Sequence, residues 1–131
     1  MSADLKLRVK RVYDAPASSD GIRVLVDRLW PRGLQKQRAR LDEWLKQIAP
    51  SNALRRWFGH EPTCWEGFKK RYYAELDAKP DEWGGVLERA RTGNVTLLYA
   101  ASDHIHNNAV ALKLYLQRRA KRRGQHRVST S

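Results

Sequence analysis

Two short stretches of the chain concentrate the side chains that could do chemistry. The first is Asp27-Arg28-Leu29-Trp30-Pro31-Arg32-Gly33, where an acid and two guanidinium groups follow an apolar run. Arg28 and Arg32 offer planar forks suited to a carboxylate or a phosphate. Asp27 can orient one of them, or act as a base where desolvation raises its pKa. An adjacent Asp and Arg at the end of an Ile/Val run are costly to bury unless paired, so a structural Asp–Arg pair that pins the loop uses the same residues. The second stretch is Ser102-Asp103-His104-Ile105-His106-Asn107-Asn108, at the junction of an apolar run and a helical pattern. Free backbone N–H groups at a helix start, with Ser and Asn side chains beside them, suit an anion. Ser102, Asp103 and Asn107 are equally ordinary helix caps, and capping alone explains most of this loop. His106 can serve as an acid or base, although a lone loop histidine is more often exposed and idle. Asp27 and His106 are thus the catalytic candidates. The ligand-binding candidates are Arg28, Trp30, Arg32, Tyr99, Ser102, Asn107 and Asn108.

Other chemistry is thinly represented. Cys64 sits where a helix dipole would lower a thiol pKa, but no histidine is near it in sequence, so packing is the favoured reading. Trp57-Phe58-Gly59-His60 can be a stacking surface or, at the end of a short helix, a core plug. No phosphate-binding loop, dinucleotide fingerprint, nucleophile elbow or zincin motif is present. His104 and His106 are two apart while His60 and His126 are distant, so no zinc spacing exists and neither metal nor cofactor is expected.

These residues need elements to position them. Leu5, Leu7 and Val9 alternate with Lys6, Arg8 and Lys10, predicting a strand with one wet face. After turn residues from Asp14 to Gly21, Ile22 to Leu29 reads as a second strand, stopped by Trp30-Pro31-Arg32-Gly33. Leu34 to Arg40 reads as a basic connection. Leu41, Trp44, Leu45 and Ile48 have helical spacing, closed by Pro50. Ser51 caps a short helix over Asn52 to Phe58, ended by Gly59. Thr63 and Glu66 form a capping box for a helix with Trp65, Phe68, Tyr72 and Leu76 on its core face. Pro80 opens another helix to about Arg91. Val95 to Ala101 reads as a strand covered on both faces, and Ala109, Leu112 and Leu116 mark a last helix ending near Arg123. The expected fold is therefore a small single α/β domain with a short, mostly parallel sheet flanked by several helices. It should occupy residues 1–124, with a flexible C-terminal tail over 125–131. In such sheets ligands gather at the carboxyl ends of strands beside helix N-termini.

With 131 residues the chain can bury a core of its own, and 41% hydrophobic residues with five tryptophans argue for a folded globule. No apolar run approaches a membrane span, no signal-peptide pattern opens the chain, and one cysteine excludes an internal disulfide. A cytoplasmic, non-membrane protein is the natural expectation. The 26 Lys and Arg outnumber the 14 acids, for a formal net charge of +12. Arg118, Arg119, Lys121, Arg122, Arg123 and Arg127 carry half of that excess. They can make weak non-specific contact with nucleic acid, or form a solvated cationic helix end.

Three stretches, KRVYDAPASSDGIRVLVDRLWPRGL, LDEWLKQIAPSNALRRWFGH and TLLYAASDHIHNNAVALKLYL, closely resemble the YeaO-like family of bacterial proteins of unknown function. They span roughly Lys10 to Leu116, and VDRLWPRG is the most specific of the motifs. The resemblance implies a compact cytoplasmic α/β domain and brings no established activity or cofactor. The family is also distantly similar to longer domains with a cysteine-histidine-arginine motif after the last strand, a place that holds His106-Asn107-Asn108 here. On the residues, the favoured function is binding of a phosphate- or carboxylate-bearing ligand, or nucleic acid, through a basic strand-end site. The alternative is a small hydrolase or transferase on such a substrate, with Asp27 or His106 as acid/base. An interaction protein with no small ligand is the third reading.

Overall fold

The computed structural model describes residues 5–130, and side chains as far as Lys121. Four strands, β1 (Leu7–Arg11), β2 (Ile22–Leu25), β3 (Glu43–Trp44) and β4 (Val95–Tyr99), form one sheet in the order β1-β4-β2-β3. Every neighbouring pair is parallel. The central strand β4 is buried along all five residues, which is why its sequence is an apolar run rather than an alternation. The helices are α1 (Lys36–Ala39), a single turn, then α2 (Asn52–Phe58), α3 (Trp65–Asp77), α4 (Pro80–Thr92) and α5 (Asn108–Thr130).

Side chains alternate across the strands and so divide between two sides of the sheet. Leu7, Val24, Val26, Val95, Leu97 and Tyr99 pack on one side with Phe58 of α2, Phe68 and Tyr72 of α3, Trp83 and Leu87 of α4, and Leu112 and Leu116 of α5. Leu25 and Leu98 face the other side, where Val12, Trp30, Leu34, Leu41 and Trp44 cover them. The four longer helices thus lie on one face, and irregular chain closes the other. Among the described residues, no helix is long and apolar enough to cross a membrane.

The structure departs from the sequence expectation in four places. Leu41 to Ile48 is not a helix: it holds the edge strand β3 and a 3-10 turn over Lys46–Ile48. Leu41 and Trp44 join one apolar cluster and Leu45 and Ile48 the other, so spacing that reads as helical belongs to a segment wrapping the sheet edge. β2 ends at Leu25, with one further ladder bond from the Val26 N–H to the Leu98 carbonyl (3.1 Å), because the Asp27 side chain takes over from there. The Thr63–Glu66 capping box does not form. Pro62 starts a 3-10 turn, α3 begins only at Trp65, and Glu66 pairs with Lys69 instead. Finally, α5 continues through the expected stop near Arg123, since a lone Gly124 costs a helix about 1 kcal/mol without ending it. The side chains from Arg122 onward, those of Arg122, Arg123 and Arg127 included, lie outside the described residues, and the backbone over residues 125–130, expected as a flexible tail, belongs to α5.

Candidate functional site

Because β2 and β4 are parallel neighbours, their carboxyl ends open on the same edge of the sheet, and the two chemistry-bearing loops meet there. Asp27 joins them. Its Oδ2 accepts the Ala100 N–H at 3.0 Å and its Oδ1 accepts the Asn108 side-chain amide at 3.1 Å. The same Asn108 amide donates to the Val26 carbonyl at 2.8 Å. Burial pushes the Asp27 carboxyl up. The bonds from Asn108 and Ala100, and the charges of Arg55 and His60, pull it back without cancelling the rise.

Arg28 does not pair with Asp27, contrary to the expectation of a structural Asp–Arg pair. Its Nε donates to the Pro50 carbonyl and its Nη2 to the Ala49 carbonyl, both at 3.2 Å. Pro50 supplies a carbonyl with no strand partner, and a guanidinium is the donor that reaches it. The loop itself is pinned by neutral bonds. The Trp30 indole N–H donates to the Leu34 carbonyl (2.9 Å), the Trp44 indole N–H to the Asp27 carbonyl (2.8 Å), and the Tyr13 hydroxyl to the Arg32 carbonyl (2.6 Å).

On the other loop, Asp103 closes a tight turn. Its Oδ1 accepts the Ile105 and His106 N–H groups, both at 2.9 Å, and its Oδ2 lies 2.9 Å from His106 Nδ1. The two backbone donors, with the imidazole, hold its carboxyl down to about 2. With Nδ1 engaged, Nε2 is the imidazole atom left to act, and the ring is steadied by Trp65 standing edge-on at 5.4 Å. Asn107 caps α5: its Oδ1 accepts the Val110 N–H at 2.9 Å and its amide donates to the Asp103 carbonyl. Asn107 therefore serves the fold with both ends of its side chain.

Between the loops is a cleft of about 370 Å³. Asp27, Arg28, Arg32 and Arg55 give it its charge, His60 and His106 add imidazoles, and Trp30, Pro31, Phe58 and Phe68 give it apolar walls. None of Arg28, Arg32 and Arg55 has a carboxylate ion-pair partner among the described residues. Of the residues singled out in the sequence, Asp27, Arg28, Trp30, Arg32, His106, Asn107 and Asn108 come together here. Tyr99 and Ser102 do not line the cleft: Tyr99 is buried with its hydroxyl on His104 Nδ1 at 3.0 Å, and Ser102 is exposed. Arg55 was not anticipated, while Phe58 and His60, read from the sequence as part of a stacking surface or core plug, were not expected at this site. Gly59, with a φ of 54°, ends α2 in the left-handed conformation and turns His60 back toward the sheet end; that cap was the one available signal. No cluster of His, Cys, Asp and Glu able to hold a metal ion occurs among the described residues.

Residues 6–131 match the model of a protein family described as the inactive DUF488-N3 subclade. The uncharacterized protein YeaO of Escherichia coli K12 is 42% identical over 113 residues, which cover 86% of this chain and 98% of that protein. The uncharacterized proteins Mb3100c of Mycobacterium bovis and Rv3073c of Mycobacterium tuberculosis are each 45% identical over 76 residues. That stretch is 58% of this chain and 64% of theirs. No solved structure matches.

Proposed function

The chain belongs to the inactive DUF488-N3 subclade, and from that premise we propose that it is a cytoplasmic binding protein for a small phosphate- or carboxylate-bearing anion. One observation carries the reading. Three guanidinium groups without carboxylate partners border a single cleft whose one acid, Asp27, is already displaced toward its neutral form. A bound anion would supply the missing negative charge in a partly dehydrated place, where charge-assisted hydrogen bonds are strongest. A family described as inactive fits binding better than turnover.

Calorimetry at low salt with sulfate, an anion whose charge is constant between pH 5 and 8, tests this. Arg55 is the informative position, because its guanidinium donates to the exposed Asn52 side chain and the fold does not lean on it. Arg55→Gln is expected to weaken sulfate binding about tenfold, the worth of one charged hydrogen bond. Affinity should rise as pH falls, because Asp27 loses its charge below its raised pKa. Asp27→Asn should flatten that profile. Equal binding by wild type and Arg55→Gln would sink the proposal.

The oriented Asp103–His106 pair favours a second reading, a hydrolase or transferase with His106 Nε2 and Asp27 as acid and base. Phosphate release from a phosphomonoester that vanishes in His106→Gln is the result that would move the balance to it. Nucleic-acid contact rests on a separate observation: α5 carries seven Lys or Arg and no acid. Replacing Arg118, Lys121, Arg122, Arg123 and Arg127 by glutamine should abolish any low-salt DNA or RNA binding seen by fluorescence anisotropy. The wild-type affinity should fall linearly against salt on logarithmic axes, since released counterions drive it. Unchanged binding in that variant would place the contact elsewhere.

A further inference from the structure

We infer that the ligand of the strand-end cleft is amphipathic, an organic anion whose charged head meets the guanidinium groups and whose flat aromatic body lies against the apolar wall and rim. The inference rests on the anion-binding reading above and adds the class of ligand.

A cleft of about 370 Å³ lies within the range of roughly 300–1,000 Å³ that receives whole organic molecules, and a lone inorganic anion would leave most of it empty. Its walls are not those of a purely ionic site. Phe58 and Phe68, stacked at 4.4 Å between centroids, form part of the lining together with Pro31, Pro50 and the Trp30 side. The rim is apolar as well. Leu29 is 60% exposed and Tyr13 is 41% exposed, and both line the cleft. Ile105, 65% exposed, sits in the turn that presents His106. Three of the five exposed large apolar residues among those described thus belong to the two loops and the strand end that shape this opening.

Tyr13 is also held rather than free. Its hydroxyl is fixed on the Arg32 carbonyl and the Arg11 guanidinium lies 4.7 Å over its ring. A ring anchored at both face and tip gives a partner surface with little entropy left to lose on contact. Such a rim shields the apolar part of a ligand from water while the head reaches the arginines. A hydrophilic anion would make no use of it.

Paired probes in calorimetry separate this inference from the reading beneath it: inorganic phosphate against phenyl phosphate, and acetate against phenylacetate. The pair whose head group binds identifies phosphate or carboxylate. Within that pair the aryl member is expected to bind at least about tenfold tighter, because burying roughly 60 Å² of ring surface is enough for that factor. Leu29→Ser, a change at an exposed position, should shrink the ratio while leaving inorganic phosphate or acetate binding as it was. Equal affinities within a pair, or a ratio indifferent to Leu29→Ser, would overturn the amphipathic ligand and leave the anion site standing. Absence of binding by all four probes would remove both.

Discussion

Replacing Gly21 with alanine is expected to lower the melting midpoint by roughly 10 °C or more, the equivalent of about 3 kcal/mol in a domain of this size. Gly21 ends the turn that carries the chain from β1 to β2, with φ 64° and ψ −131°, a combination that residues with a side chain essentially never adopt. Space forbids the substitution as well. A Cβ at this position would lie 2.1 Å from the Asn94 carbonyl oxygen, a backbone atom that cannot swing aside. That same oxygen accepts the Ile22 N–H at 2.9 Å, so relieving the clash means pulling β2 away from the start of β4. Gly33 is the control. Its φ is also positive, at 74°, yet nothing lies within 4 Å of the position its Cβ would take. Gly33→Ala should therefore cost only the backbone strain, about 1 kcal/mol. Thermal melts of the two variants decide the matter, and similar midpoints would show that the Asn94 contact yields easily. Since β2 delivers Asp27 to the cleft, Gly21→Ala should also weaken anion binding at temperatures where the variant is still folded.

What the sequence could and could not reveal follows from how local each determinant is. Strand β4 was legible because a strand buried on both faces leaves an unbroken apolar run, and Asn107 was legible because a helix cap is written within four residues. The meeting of the Asp27 and Asp103 loops followed from parallel neighbours sharing an edge. By contrast, β3 has two residues, and its apolar neighbours divide between the two sides of the sheet, so their spacing imitates a helix. Arg55 reaches the cleft because α2 packs near the strand ends, a fact of tertiary placement with no local mark. The charge pair expected at Asp27 and Arg28 was read at the wrong strand end. Burial did force a charged pair onto this strand, but at its amino end, where Asp20 and Arg23 meet.

Arg23→Ala is expected to cost about 3–5 kcal/mol, the range for removing one partner of a buried ion pair. Arg23 and Asp20 are each only 4% exposed, and Arg23 Nη1 lies 2.5 Å from Asp20 Oδ2. The rest of the guanidinium is used too. Nε and Nη2 donate to the Ala39 carbonyl at 3.1 and 2.7 Å, and Nε also donates to that of Arg40 at 3.2 Å, so the side chain closes the end of α1. Alanine would leave those carbonyls without donors and the Asp20 carboxylate with Lys10 as its remaining cation. Arg23→Lys keeps the charge but not the fork, and should recover only part of the loss. Exposed Arg89, paired with Glu43, gives the contrast: Arg89→Ala should change stability by no more than about 1 kcal/mol. The pH dependence has a definite sign. Burial pushes the Asp20 carboxyl up, but the bonds from the Ala17 N–H, Lys10 and Arg23 outweigh it and leave the pKa below its ordinary value of 3.8. A carboxyl lowered on folding stabilises the protein above its unfolded pKa, and that contribution fades as pH falls through the folded one. The gap between wild type and Arg23→Ala in urea melts should accordingly be full at pH 7 and narrow below about pH 4. A gap of under 1 kcal/mol at neutral pH, or one that widens in acid, would mean that this buried pair does not hold β2 to α1.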